Sequence, residues 1–104
     1  MTKKHLDDVL EARGEQYGPF IDHATIAQDL KDVVRDALEE NVILLEPDQQ
    51  EALEMILHKI ARIVNGNPDN IDSWIDIAGY STLVANRLRD DEQASMRELS
   101  EVLA

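Results

Sequence analysis

The stretch EALEMILHKIARIVNGNPDNIDSWIDIAGY, residues 51–80, decides the fold. Leu53, Ile56, Leu57, Ile60, Ile63 and Val64 recur every three or four positions, which puts them on one helix face. Asn65-Gly66 is a helix stop, and Asp69 or Asn70 is suited to cap a second helix. That second helix is apolar nearly all round, from Ile71, Trp74 and Ile75 to Leu83, Val84 and Leu88. Such a pattern predicts burial on more than one side. Gly79 in its middle costs about 1 kcal/mol relative to Ala, and is expected to mark a close helix approach.

The same stretch carries two pairs of acids. Glu51 and Glu54 are three apart on the first helix, and Asp72 and Asp76 four apart on the second. Helix positions at these spacings share a face. If the two helices fold back on each other, the four carboxylates converge on one cleft. Converging acids repel, so they call for a hard cation, Mg2+ or Mn2+. Glu51, Glu54, Asp72 and Asp76 are therefore the expected metal ligands. The plainer reading makes Glu51, Glu54 and Asp72 partners of helix dipoles or of solvent. It explains Asp76 less well, since that residue lies in an apolar setting. His58, Lys59 and Arg62 follow on the first helix and suit phosphate oxygens, Arg62 in a bidentate manner. The plainer reading for them is an ion-pair ladder.

Outward from this centre the pattern stays helical. The first helix of the stretch begins near Pro47, a residue suited to a first turn, and runs to Val64. The second spans about Asp69 to Arg89. An earlier helix spans about Pro19 to Glu40, with Ile26, Leu30, Val33, Val34 and Ala37 as its apolar stripe. Its other face carries Asp22, Asp29, Asp32 and Asp36. A short helix from Lys4 to Ala12, ended by Arg13-Gly14, opens the chain, and a weaker one from Asp91 to Leu103 closes it as a peripheral element. No stretch alternates with the period of a half-buried strand. The expected fold is a single all-α domain over residues 1–104, a bundle of four to five helices.

RGEQYGPF, residues 13–20, concentrates glycines and aromatics in a chain with only four aromatic residues. Tyr17 and Phe20 suit stacking on a nucleobase, and Arg13 suits phosphate. The plainer reading is a tight turn with an aromatic plug. His23 falls in the apolar arc of its helix, where a satisfied core histidine is expected.

Composition narrows the function. The net charge is −12, from 22 acids against 10 Lys and Arg. Direct binding to a nucleic-acid backbone needs the opposite sign, so divalent cations or basic partners fit better. The absence of cysteine removes disulfides, thiolate metal sites and cysteine nucleophiles. MTKKHLDDVL has no apolar run of signal-peptide length, and no segment approaches a membrane span. The expected setting is soluble and cytoplasmic, with no membrane partner.

RGEQYGPF, HATIAQ, EALEMILHKIARIVNG and DSWIDIAGYSTL together resemble a small uncharacterised family of phages and prophages, over roughly residues 11–88. The two-helix acid arrangement also resembles the MazG-type all-α nucleoside triphosphate pyrophosphohydrolases. These carry an ExxE pair on one helix and an ExxD pair on the next, bind Mg2+ and split the α–β phosphoanhydride. Glu51 and Glu54 match the first pair. Asp72 and Asp76 match the second with a leading Asp and a spacing of four. The resemblance implies a Mg2+-dependent nucleotide pyrophosphohydrolase, or a degenerate nucleotide-binding relative, working as a homodimer in the host cytoplasm. Glu54 and Asp76 would be its catalytic pair, and Lys59, Arg62, Arg13 and Tyr17 its substrate-binding residues. The alternative is an acidic protein whose Asp22, Asp29, Asp32 and Asp36 stripe mimics a nucleic-acid backbone towards a basic host protein.

Overall fold

The computed structural model describes residues 2–104 as four helices: α1 Lys3–Tyr17, α2 Phe20–Glu40, α3 Pro47–Asn65 and α4 Ile71–Leu103. The all-α bundle expected from the sequence is what forms. α3 lies at the centre, with α2 and α4 packed on it and α1 touching both α2 and α3.

Local chemistry sets most helix ends. Pro47 opens α3 behind a capping box in which the Glu46 N–H donates to Gln49 Oε1 at 2.9 Å. Asn70 caps α4 by accepting from the Asp72 N–H at 3.2 Å. Two boundaries differ from the sequence pattern. α1 continues through Gly14 to Tyr17, and Gly18, at φ 77°, ends it. A glycine within a helix weakens it without stopping it. The two C-terminal segments are one helix of 33 residues. Nothing between Leu88 and Asp91 breaks the backbone, and Arg87 bridges the junction by pairing with Asp91 at 3.1 Å.

α3 and α4 run antiparallel in a register fixed by two ion pairs. Arg87 grips Asp48 with two hydrogen bonds of 2.9 and 2.6 Å. That grip holds the Asp48 carboxyl below the usual carboxylate range. Lys59 Nζ lies 2.9 Å from Asp76 Oδ2. Since Pro47 starts α3 opposite the Arg87 region, the C-terminal part of α4 runs on past the start of α3.

The two short connections interlock. Asn65, at the end of α3, donates through Nδ2 to the carbonyls of Tyr17 at 2.9 Å and Pro19 at 3.0 Å. The Asn67 N–H donates to the Gln16 carbonyl at 2.7 Å. A methyl group on Gly18 would stand 2.1 Å from the Asn65 carbonyl oxygen, and one on Gly66 would stand 2.2 Å from that of Gln16. Both glycines are required by backbone contact.

Burial is shallow. Among the described residues the buried apolar ones are Ala27, Ala52 and Ala61, and no large side chain is completely enclosed. The expectation that α4 is buried on several sides fails. Ser73, Ile77, Tyr80 and Val84 turn inward, whereas Ile71, Trp74, Ile75 and Leu83 stay exposed. The radius of gyration is 19.1 Å, against about 13 Å for a compact chain of this length.

Candidate ligand site

α1, α2 and α3 meet around a cavity of about 580 Å³ lined by Arg13, Tyr17, Phe20, His23, His58 and Arg62, with Leu10 and the Gly14, Gly18 and Pro19 backbone completing it. Helical spacing explains the convergence. His58 and Arg62 sit one turn apart on α3, and Phe20 and His23 share the first turn of α2. Arg13 and Tyr17 sit one turn apart on α1. The Asn65 latch holds that helix end against α3.

Arg62 lies over the Tyr17 ring, its guanidinium carbon 4.2 Å from the centroid. This cation–π contact fixes the planar group in place. His23 Nε2 and His58 Nδ1 are 3.3 Å apart, their rings edge to face. Phe20 stacks near His23, centroid to centroid 6.0 Å.

Both imidazoles are held neutral. Burial pushes the His58 pKa down to about 4, and the charges of Arg62 and neighbouring groups push the same way. His23 is lowered by burial first, then by Arg62 and Lys31. The histidines therefore offer neutral donors and acceptors, while the positive charge on the cavity wall comes from the two arginines.

His23 was expected to be a satisfied core histidine. It is buried, only 4% exposed, but its Nδ1 has no hydrogen-bond partner among the described residues. With Nε2 engaged by His58, either tautomer leaves a polar atom unpaired. A buried polar atom without a partner costs about 1–3 kcal/mol.

Of the four residues expected to bind substrate, Arg13, Tyr17 and Arg62 line this one cavity. Lys59 does not, because its ammonium is committed to Asp76 on the other side of α3. The link between the histidines escapes the sequence, since His23 and His58 are 35 positions apart.

The four carboxylates are not gathered within one chain. In the antiparallel register Glu51 stands level with Val84, Glu54 with Ser81 and Asp72 with Ile63. At 1.5 Å per residue, Asp72 is then about 18 Å from Glu51 along the axis. Glu54 also looks the other way. It lines a smaller cavity of about 330 Å³ between α2 and α3, beside Lys31 and Arg35, and accepts from Gln50 Nε2 at 3.2 Å. Asp76 is neutralised by Lys59. Among the described residues no three His, Asp or Glu side chains are grouped to hold a metal ion. Glu51, Glu54, Asp72 and Asp76 are thus spread along the two helices and not grouped as ligands of one ion among the described residues. The cause is the short α3–α4 loop. It sets the start of α4 against the end of α3, away from Glu51 and Glu54 at the other end.

Among the described residues no helix is long and apolar enough to cross a membrane. No curated protein and no solved structure matches the chain. A family model described as "Domain of unknown function (DUF6378)" matches residues 3–88, which contain every cavity-lining residue. By that match the chain belongs to the DUF6378 family.

Proposed function

We propose that this protein binds a nucleotide in the cavity between α1, α2 and α3. The convergence of Arg13 and Arg62 with Tyr17, Phe20 and two neutral histidines on one cavity carries the reading. A nucleobase edge supplies both donors and acceptors, and its ring suits the Tyr17 and Phe20 faces. Arg13 and Arg62 suit the phosphates, as the only cationic groups among the cavity-lining residues. The neutral histidines would read the base, since without charge they do little for phosphate.

The resemblance to MazG-type pyrophosphohydrolases supports a nucleoside triphosphate as the ligand class. The dispersal of the four acids favours the binding branch of that resemblance over hydrolysis by one chain. Mg2+ would enter here as the counter-ion of the nucleotide's own phosphates. In a phage the protein would sequester part of the nucleotide pool.

Calorimetric titration with ribo- and deoxyribonucleoside triphosphates, with and without Mg2+, tests the proposal. Saturable binding that is lost in Arg62→Ala, with no pyrophosphate released, is the expected result. Absence of binding to every nucleotide overturns it. Pyrophosphate release that disappears in Asp76→Asn would restore the hydrolase reading instead.

A second reading keeps one observation. Asp22, Asp29 and Asp36 are exposed on α2 and make no ion pair among the described residues. That stripe suits a basic protein surface, with binding that weakens as salt rises.

A further inference from the structure

We propose that the face of α4 turned away from α3 is covered by a second copy of this chain, α4 against antiparallel α4. Ser73, Ile77, Tyr80 and Val84 occupy the α3-facing side. The opposite side presents Ile71, Ile75, Ala78, Thr82 and Ala85, one stripe at helical spacing. Ile71 is 66% exposed and Ile75 57%, and Trp74 beside them is 54% exposed. From Ile77 to Asn86 there is no charged residue, in a chain that is 31% charged. A solvent-facing helix in so acidic a protein would be expected to carry charge there.

Area points the same way. The chain exposes 7955 Å², whereas a folded monomer of this mass exposes about 5,900 Å². The excess of about 2,000 Å² per chain is more than the roughly 800 Å² per partner that a specific interface buries.

The stripe is also complementary to itself. An antiparallel pairing centred near Tyr80 sets Ile75 of each copy against the partner's Ala85, and Ala78 against the partner's Thr82. Large then meets small on both sides of a two-fold axis. Nothing lies within 4 Å of a methyl group built on Gly79, so the partner helix can approach closely at the centre. Two chains of charge −12 repel, so the attraction is apolar and salt should help it.

Light scattering and sedimentation of the full chain across a dilution series test this. The expected mass is twice 11.8 kDa at high concentration, and raising the salt should preserve or strengthen the dimer. Ala78→Arg with Thr82→Arg should weaken association on the order of 100-fold, with helicity by circular dichroism unchanged. Ala78→Arg alone, at an exposed position, gives a milder version of the same loss. Val33→Arg, on exposed α2, should leave the dimer intact. A monomeric mass at every concentration and salt overturns the proposal. So does a dimer that survives the double arginine variant, since another face would then be holding it. A fall in mass with Val33→Arg but not with Ala78→Arg would equally reassign the interface. Nucleotide titration is a separate readout, so failure there leaves this result standing.

Discussion

Lys59 and Asp76 form an asymmetric pair: the lysine side chain is 11% exposed and the aspartate side chain opposite it 43% exposed. Losing one partner should therefore hurt differently from losing the other. Asp76→Ala strands a nearly buried cation and should cost about 2 kcal/mol. Lys59→Met leaves a carboxylate that water can reach and should cost about 1 kcal/mol or less. The double variant should be more stable than Asp76→Ala alone. Urea unfolding of all four proteins checks this, and equal single-variant losses would contradict the asymmetry.

Stability should fall on mild acidification because of the histidine pair. An unfolded histidine titrates near 6.5, but His58 in the fold stays neutral down to about 4. Between those values the unfolded chain binds protons that the folded chain does not, so unfolding is favoured as pH drops through this window. His23, also lowered, adds in the same direction. Below about 4 the His58 contribution levels off, and Asp48, whose pKa is lowered by Arg87, takes over the acid sensitivity. Melting curves from pH 7 to 4 should decline for the wild type and flatten for His58→Gln.

Nucleotide affinity should respond to the shape of Arg62 as well as its charge. Arg62→Ala removes both the cation and the group held over Tyr17, and should weaken binding on the order of 100-fold. Arg62→Lys keeps the charge without the planar fork, so recovery should be partial. Tyr17→Leu should lower affinity about 10-fold through lost stacking. Full affinity in Arg62→Lys would argue against a fixed guanidinium.

Two glycines near each other should answer a methyl group with opposite signs. Gly14 lies inside α1 with open space beside it, so Gly14→Ala should stabilise by about 0.5–1 kcal/mol. Gly18, at φ 77° and against the Asn65 carbonyl, cannot take a methyl group without separating the two connections. Gly18→Ala should cost about 3 kcal/mol or more. Denaturant midpoints at a common slope decide both cases.

Helix periodicity carried α2 and α3 in the sequence almost to the residue, because Pro19, Pro47 and Asn65-Gly66 mark their ends in local chemistry. It misplaced the end of α1, since Gly14 and Gly18 look alike in a sequence and only contact with Asn65 separates them. It divided α4 at a charge cluster that in fact favours a helix. Arg13, Tyr17 and Arg62, expected on their chemistry to bind substrate, line one cavity, as side chains one helical turn apart on α1 and a neighbour on α3 can. The acid quartet misled because spacing within a helix says nothing about register between helices, which Asp48–Arg87 and Lys59–Asp76 set. The apolar circumference of α4 implies burial on more than one side, whereas in the single chain much of it faces outward.

The latch from Asn65 to the Tyr17 and Pro19 carbonyls spans 48 and 46 positions of sequence. α1 contributes no buried residue of its own, so it depends heavily on that distant amide for its place. During synthesis the N-terminal helix lacks this latch until the end of α3 has emerged. In the finished protein α1 should be the first element to exchange its amide hydrogens. Because α1 supplies one wall of the cavity, each such opening is also a doorway into it.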